Sequence, residues 1–351
     1  MTTFKLGELF CGPGGIAIGA KLAKIENENF IIEHAWANDY DADTCKTYIN
    51  NICPDYPNSV VCSDVRTLQM SNLSAIDALA FGFPCNDFSV VGEQKGVNGK
   101  FGPLYTYGVK ALEIFRPKWF FAENVGGLRS ANGGSALKKI LEDFRNAGYK
   151  VYPHLYRMEQ YGIPQTRHRI IIIGIRNDLP FVFKPPSPEP YSDIDNTCRK
   201  ALEVPAISSD ATNNELTKQS DTVIRRLNYI KPGQNAFTSE LPEDLRLNVK
   251  GAKISQIYKR LDPTKPAYTV TGSGGGGTHI YHYHEPRALT NRERARLQTF
   301  PDGYVFLGSK ESVRKQIGMA VPVQGAKVVF EAVLRTFAGL EYPSVECNVL
   351  E

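Results

Sequence analysis

Short apolar runs alternate with stretches of helical spacing through the first half of the chain, and each run stops at glycine, proline or an acid. Residues 4–10 read as a strand that ends in the turn Cys11-Gly12-Pro13-Gly14-Gly15, after which residues 16–24 carry apolar positions at helical intervals. Residues 30–37 end at Asn38-Asp39-Tyr40-Asp41, and residues 60–62 run into Ser63-Asp64-Val65. Residues 77–83 stop at Pro84, residues 118–122 lead into Glu123, and residues 170–173 follow Arg167 and Arg169. Strands that are apolar throughout, separated by helices, predict an α/β fold with a doubly wound, Rossmann-like sheet covered on both faces. Beyond Asn177 the alternation breaks off. Residues 181–190 are rich in proline and predict a stiff link. Residues 191–266 lack the strand–helix rhythm, and a final helix is expected over 323–338, packed back on the first domain. The predicted division is a domain of residues 1–178 completed by 308–351, and a smaller, irregular domain of residues 179–307.

An open parallel sheet binds its ligands beyond the carboxyl ends of its strands. Glycines in the first turn let a ligand approach the backbone at the start of a helix. Asp39 is placed to hold ribose hydroxyls, Tyr40 to offer a flat face to an adenine, and Asp64 to accept from an exocyclic amine. The turn reads Gly-x-Gly-Gly, which departs from the dinucleotide spacing. An adenosine without a pyrophosphate, as in S-adenosylmethionine, suits it better. Cys85, just past Gly82-Phe83-Pro84, and Glu123 reach the same sheet edge and can serve as nucleophile and proton donor. Emerging from Trp119-Phe120-Phe121-Ala122, Glu123 should be poorly solvated, which favours its protonated form. Arg167 and Arg169, two apart on one predicted strand, should point to the same side.

The remaining features narrow the class. With 351 residues, 42% hydrophobic and 22% charged, the composition is that of an ordinary globular chain, and a net charge of +4 permits a polyanionic partner without demanding one. No leader pattern precedes the first strand and no apolar run approaches bilayer length, so a cytoplasmic protein without a membrane partner is expected. Seven cysteines without Cys-x-x-Cys spacing point to a reducing compartment, as a nucleophilic thiol requires. His279, His282 and His284 are spaced like metal ligands, but no acid or cysteine nearby completes a zinc shell, and no metal is expected.

Taken in order, these runs resemble the cytosine-C5 DNA methyltransferase family along nearly the whole chain. The resemblance rests on residues 8–15, 38–41, 63–65, 82–89, 92–96, 102–104, 123–125, 161–169, 287–293, 296–301 and 316–322. Met319 stands where the family commonly has Asn, Asp39 where Glu is commoner, and Phe101 where an Arg often precedes the glycine. The resemblance implies a Rossmann-like methyltransferase sheet, S-adenosylmethionine as cofactor, duplex DNA as partner, and residues 179–307 as the DNA-recognition domain. It implies Cys85 as the nucleophile toward cytosine carbon 6 and Glu123 as the holder of ring nitrogen 3. Arg169 would bond the cytosine carbonyl, and Arg167 would support the nucleophile loop or a phosphate. Phe10, Gly12 and Gly14 would contact the methionine part, Asp39 the ribose, Tyr40 and Val65 the adenine faces, Asp64 the adenine amine, and Leu104 the pocket wall. Residues 86–100, with Ser89 and Gln94, read as a loop that closes on DNA, and Thr269 matches a backbone-contacting position. The compact size suggests a monomeric modification enzyme acting at the nucleoid, alone or beside a restriction endonuclease of the same site. The nearest rival is the same chemistry on transfer RNA, whose branch carries a Cys-Phe-Thr run that this chain lacks. A catalytically idle DNA-binding protein and a nucleotide-dependent oxidoreductase are the alternatives from other classes.

Overall fold

The computed structural model describes residues 2–26, 29–84, 104–247 and 255–349. The chain enters through β1 (Thr2–Leu9), α1 (Gly15–Leu22), β2 (Phe30–Asp39), α2 (Ala42–Ile52), β3 (Val60–Cys62) and β4 (Ala78–Gly82). It continues through α3 (Tyr105–Phe115), β5 (Trp119–Val125), α4 (Ser135–Asn146), β6 (Tyr149–Arg157), β7 (Gln165–Thr166) and β8 (His168–Arg176). Seven strands form one sheet in the order β3-β2-β1-β4-β5-β8-β6. The first five are parallel, and β8 runs antiparallel to both β5 and β6. Strand order reverses between β1 and β4, so the crevice of this sheet lies at their carboxyl ends.

Burial on both faces explains the uninterrupted apolar runs. Ala78, Leu79, Ala80 and Phe81 of β4 and Trp119 through Ala122 of β5 are wholly buried. Phe120 meets Phe81 at 6.0 Å and Phe144 of α4 at 4.9 Å between ring centroids. Each ring buried this way contributes about 2 kcal/mol. Helix α4 presents Leu137, Ile140, Leu141 and Phe144 to that layer, the i, i+3, i+4, i+7 spacing of an amphipathic helix.

The chain divides into two compact units. The first comprises residues 1–161, 168–192 and 323–351; the second comprises residues 162–167 and 193–322. The boundaries therefore fall at 192 and 323, not at 178 and 308. Residues 179–192 stay with the sheet because the proline-rich stretch is stitched to the C-terminal tail. Ser187 N donates to Pro343 O at 2.8 Å, Tyr161 donates to Pro186 O at 3.0 Å, and Phe183 is buried. The expected stiff link is thus a strap anchored to the C-terminal tail.

The second unit contains α5 (Cys198–Glu203), α6 (Asp221–Tyr229), β9 (Ala267–Tyr268), α7 (Asn291–Leu297) and α8 (Lys310–Met319), with β7 pairing in parallel to β9. Residues 308–322 belong here because Gln298 Nε2 donates to Ile317 O at 2.7 Å and Asn291 Nδ2 to Lys310 O at 3.0 Å. Irregular backbone leaves carbonyls without ladder partners, and buried arginines supply the donors. Arg292 donates to Thr212 O, Pro301 O and Tyr304 O at 3.0, 3.2 and 2.6 Å.

In the first unit α9 (Val323–Ala338) packs on α1, as the sequence predicts. A Cβ at Gly19 would fall 2.6 Å from the Cβ of Ala326, so the close approach requires glycine there. The expectation that no stretch approaches bilayer length is corrected by residues 310–338, which are long and apolar enough by composition. The most apolar window of that stretch is 83% buried within the fold, as expected of core helices.

Candidate active site

Residue Phe10 leaves β1 in the left-handed region with φ 54°, and Gly12 and Gly14 follow at 57° and 93°. A non-glycine residue held there stores about 1–3 kcal/mol, which the surrounding sheet must impose. The turn is pinned from β2: Asp39 Oδ2 accepts from Gly12 N at 3.0 Å and Oδ1 from Asp41 N at 3.1 Å. Burial raises the Asp39 carboxyl above the usual carboxylate range, against the pull of these amides. Asn38 ties the same edge to β3 by donating to Val61 O at 2.8 Å and Ser63 O at 2.9 Å. Beside it Tyr40 is 64% exposed. Nothing lies within 4 Å of where a Cβ on Gly12 would stand.

The other expected cofactor positions fall around these strand ends. Asp64 is clasped by Arg66, whose Nε lies 2.9 and 3.0 Å from its two oxygens, and this pairing holds the carboxyl down at about 2. An acceptor for an exocyclic amine is therefore present but already shared with a guanidinium. Val65 is buried in the core cluster, and Phe10 and Leu104 pack partly buried against it. An open left-handed turn, a carboxylate, an exposed ring and apolar walls fit an adenosine bearing an amino acid.

Strand β5 extends through Val125, so Glu123 and Asn124 lie within it. Glu123 stands in register with Gly82, the last residue of β4, where a Cβ would come within 3.3 Å of its Oε2. From β8, Arg169 Nε meets Glu123 Oε1 at 2.8 Å, and both side chains are 12% exposed. Poor solvation is as expected. Arg169 thus holds the carboxyl in place from the neighbouring strand. Asn124 is buried and donates from Nδ2 to Phe83 O at 3.2 Å. It thereby ties β5 to the backbone two residues before Cys85. Cys85, Ser89 and Gln94 lie outside the described residues.

One expectation needs correction. Arg167 precedes β8 and does not share a strand face with Arg169; it is only 2% exposed. Its guanidinium donates to Val270 O, Gly318 O and Ala320 O at 2.9, 3.1 and 2.9 Å, a carbonyl clamp inside the second unit. Thr269 is exposed, but its hydroxyl proton goes to Thr166 O at 2.7 Å. The histidines have roles in the fold: His282 Nδ1 accepts from the amides of His284 and Glu285, both at 3.1 Å. Among the described residues no three His, Cys, Asp or Glu converge on a metal position.

One group escaped the sequence reading. Glu8, on β1, is 1% exposed; Tyr48 donates to its Oε1 at 2.7 Å, and His34 Nδ1 lies 3.1 Å from the same hydroxyl. Burial pushes the Glu8 carboxyl up to about 8 and the His34 imidazole down to about 4. An acid inside an apolar strand was the only signal in the sequence.

Comparison with known proteins agrees with this geometry. Residues 4–335 match the family of C-5 cytosine-specific DNA methylases. Type II methyltransferase M.BbvI of Brevibacillus brevis is 58% identical, the match covering 97% of this chain and 94% of that protein. Type II methyltransferase M.NgoFVII of Neisseria gonorrhoeae is 39% identical over 95% of this chain and 87% of its own length. A DNA modification methyltransferase encoded within an Escherichia coli prophage shares the fold with a TM-score of 0.70 at 22% identity, covering 96% of this chain and all of that one (100%). The S. pombe Dnmt2 methyltransferase shares it with a TM-score of 0.60 at 17% identity, over 97% of this chain and 100% of that one. The chain belongs to the C-5 cytosine-specific DNA methylase family.

Proposed function

We propose that this protein transfers a methyl group from S-adenosylmethionine to carbon 5 of a cytosine in a specific duplex DNA sequence, with Cys85 as nucleophile. The observation that carries the reading is the Glu123–Arg169 pair, 2.8 Å apart at the end of β5 and in register with the end of β4. Cys85 follows that strand end by three residues. When bound, S-adenosylmethionine supplies an electrophilic methyl group. Phe10, Gly12, Gly14, Asp39, Tyr40, Asp64, Val65 and Leu104 would hold it.

The chain's own residues do the rest. The cytosine leaves the helix, at a cost of about a few kcal/mol. The Cys85 sulfur bonds to carbon 6, and the electron pair of the ring's 5,6 double bond moves toward carbon 5. A free thiol is only about 3% ionised at neutral pH, so the site must favour the thiolate at the moment of attack. Glu123 holds ring nitrogen 3, and Arg169, fixed against Glu123, directs its remaining donors to the cytosine carbonyl. Once carbon 5 carries the transferred methyl group, its proton passes to water, and the electron pair left behind restores the 5,6 double bond and expels the Cys85 thiolate from carbon 6. Ser89, Gln94 and Thr269 belong to the DNA-facing surface in this reading.

The Type II names of the two relatives support a further step, an enzyme working beside a restriction endonuclease that acts on the same site; in this reading it is a monomer acting in the cytoplasm on nucleoid DNA. The test is incubation with methyl-labelled S-adenosylmethionine and either duplex DNA or transfer RNA, followed by nucleoside analysis. Label in 5-methylcytosine from duplex DNA is the expected result. Label confined to transfer RNA, or to another base, overturns the assignment.

A further inference from the structure

Among the described residues of the second unit, Arg167, Arg260, Arg292 and Arg294 are each no more than 5% exposed. The first three give their guanidinium groups to carbonyls. Arg167 and Arg292 do so as above, and Arg260 donates to Leu227 O, Ile230 O and His282 O at 2.9, 3.1 and 2.8 Å. Arg294 does not. Both of its Nη atoms are shut off from solvent, and among the described residues neither has a hydrogen-bond partner. Its chain neighbour Glu293 is already taken, accepting from Arg287 in two contacts of 2.8 Å and from Thr290 N at 2.7 Å. A buried cation left unpaired costs several kcal/mol.

A second guanidinium, that of Arg314, lies near Arg294. Burial first, and then repulsion by Arg314, lower the guanidinium to about 10 against the opposing pull of Tyr268, Glu293 and Tyr281. Burial and the charges of Arg294 and Arg314 push the His279 imidazole down to about 4, so it stays neutral. Gly274 roofs this group: a Cβ there would fall 2.9 Å from Arg314 Nε and 3.3 Å from His279 Nδ1. The turn that includes Thr271, Ser273, Gly275, Gly276 and Thr278 is exposed, and a Cβ at Gly275 or Gly276 would meet nothing within 4 Å. Glycine backbone changes shape at low cost. A cover of this kind over an uncompensated cation suits an anion that arrives with a partner.

We propose that Arg294 and Arg314, beneath the glycine-rich turn 271–278, form a binding site for a DNA backbone phosphate, which the turn admits by shifting. The proposal rests on the DNA-modifying reading above and names a further binding residue for that substrate. A phosphate between two guanidinium groups would make the charge-assisted hydrogen bonds that Arg294 lacks in the free protein. It fixes position on the duplex and carries no sequence information.

The experiment measures equilibrium binding of the full chain to cognate and unrelated duplexes over a salt series, beside thermal melting without DNA. Arg294→Met keeps the volume and removes the charge. The expected result is weaker binding to both duplexes by a similar factor, a salt slope reduced by about one, and a melting temperature of the free protein that is unchanged or higher. Unchanged affinity and slope, or a loss confined to the cognate duplex, overturns the proposal. Should Arg294→Met not fold, Arg314→Met decides by the same slope, its side chain being 14% exposed. Wild-type protein that binds no duplex at all refutes the functional reading itself, a result distinct from wild-type and variant binding alike.

Discussion

Replacing Glu123 by Gln keeps the shape of the side chain and removes the charge that Arg169 faces. The contact is 2.8 Å and both partners are 12% exposed, so water screens it only in part. A hydrogen bond between charged groups contributes about 1.5–3 kcal/mol, and the residual exposure argues for the middle of that range, about 2 kcal/mol. Urea unfolding of Glu123→Gln should show a loss of that size. The chemical effect should be larger. A positioned proton donor contributes about 10²–10⁴ in rate, so single-turnover methyl transfer at saturating duplex should fall by at least two orders of magnitude. DNA affinity should change by less than about tenfold, because the carboxyl acts on one extruded base. A double-mutant cycle with Arg169→Met should return a coupling energy of about 1–2 kcal/mol. A single-turnover rate within about threefold of wild type would falsify the donor role, and strictly additive stabilities would show that the pair is not coupled.

Asn124→Ala removes the donor to Phe83 O, leaving a buried carbonyl unsatisfied at a cost of about 1–3 kcal/mol. It should lower kcat at least tenfold, because the backbone leading to Cys85 is then untethered, and rapid-quench kinetics with duplex DNA will check this. Glu8→Gln tests the buried acid. The folded carboxyl is raised from 4.5 to about 8, so its favourable contribution is complete below pH 4.5 and is lost as pH rises toward 8. A shift of that size corresponds to several kcal/mol at pH 9. Thermal melting should show the variant nearly unchanged at pH 4.5 and clearly more stable than wild type at pH 9. Parallel melting curves at both pH values would contradict the burial argument.

Much of the sheet was legible because strands buried on both faces announce themselves as continuous apolar runs with sharp ends. The acids Asp39 and Asp64 stand at strand ends for the same reason, since the first polar residue after a buried run is the one that reaches the crevice. Glu123 was legible as chemistry, but its partner was not. Arg169 comes from β8, the one strand of this sheet antiparallel to its neighbours, and spacing along β5 says nothing about it. Arg167 misled because a two-residue separation implies a shared face only within one strand, and here a strand break intervenes. The domain boundaries differ because proline content indicates stiffness and says nothing about which unit a segment packs on. Residues 181–190 are stiff and also tied to the tail. Arg294 was invisible for a simpler reason, as an arginine in a helix reads as surface until its burial is known.

The most direct test of the account uses a duplex carrying 5-fluorocytosine at the target position, which lacks the proton whose loss releases the enzyme. Incubated with S-adenosylmethionine and then digested and analysed by mass spectrometry, the protein should carry the methylated fluoropyrimidine on the peptide containing Cys85, and Cys85→Ala should carry none. An adduct on any other residue, or active protein that methylates ordinary DNA yet never forms one, would contradict covalent attack by Cys85.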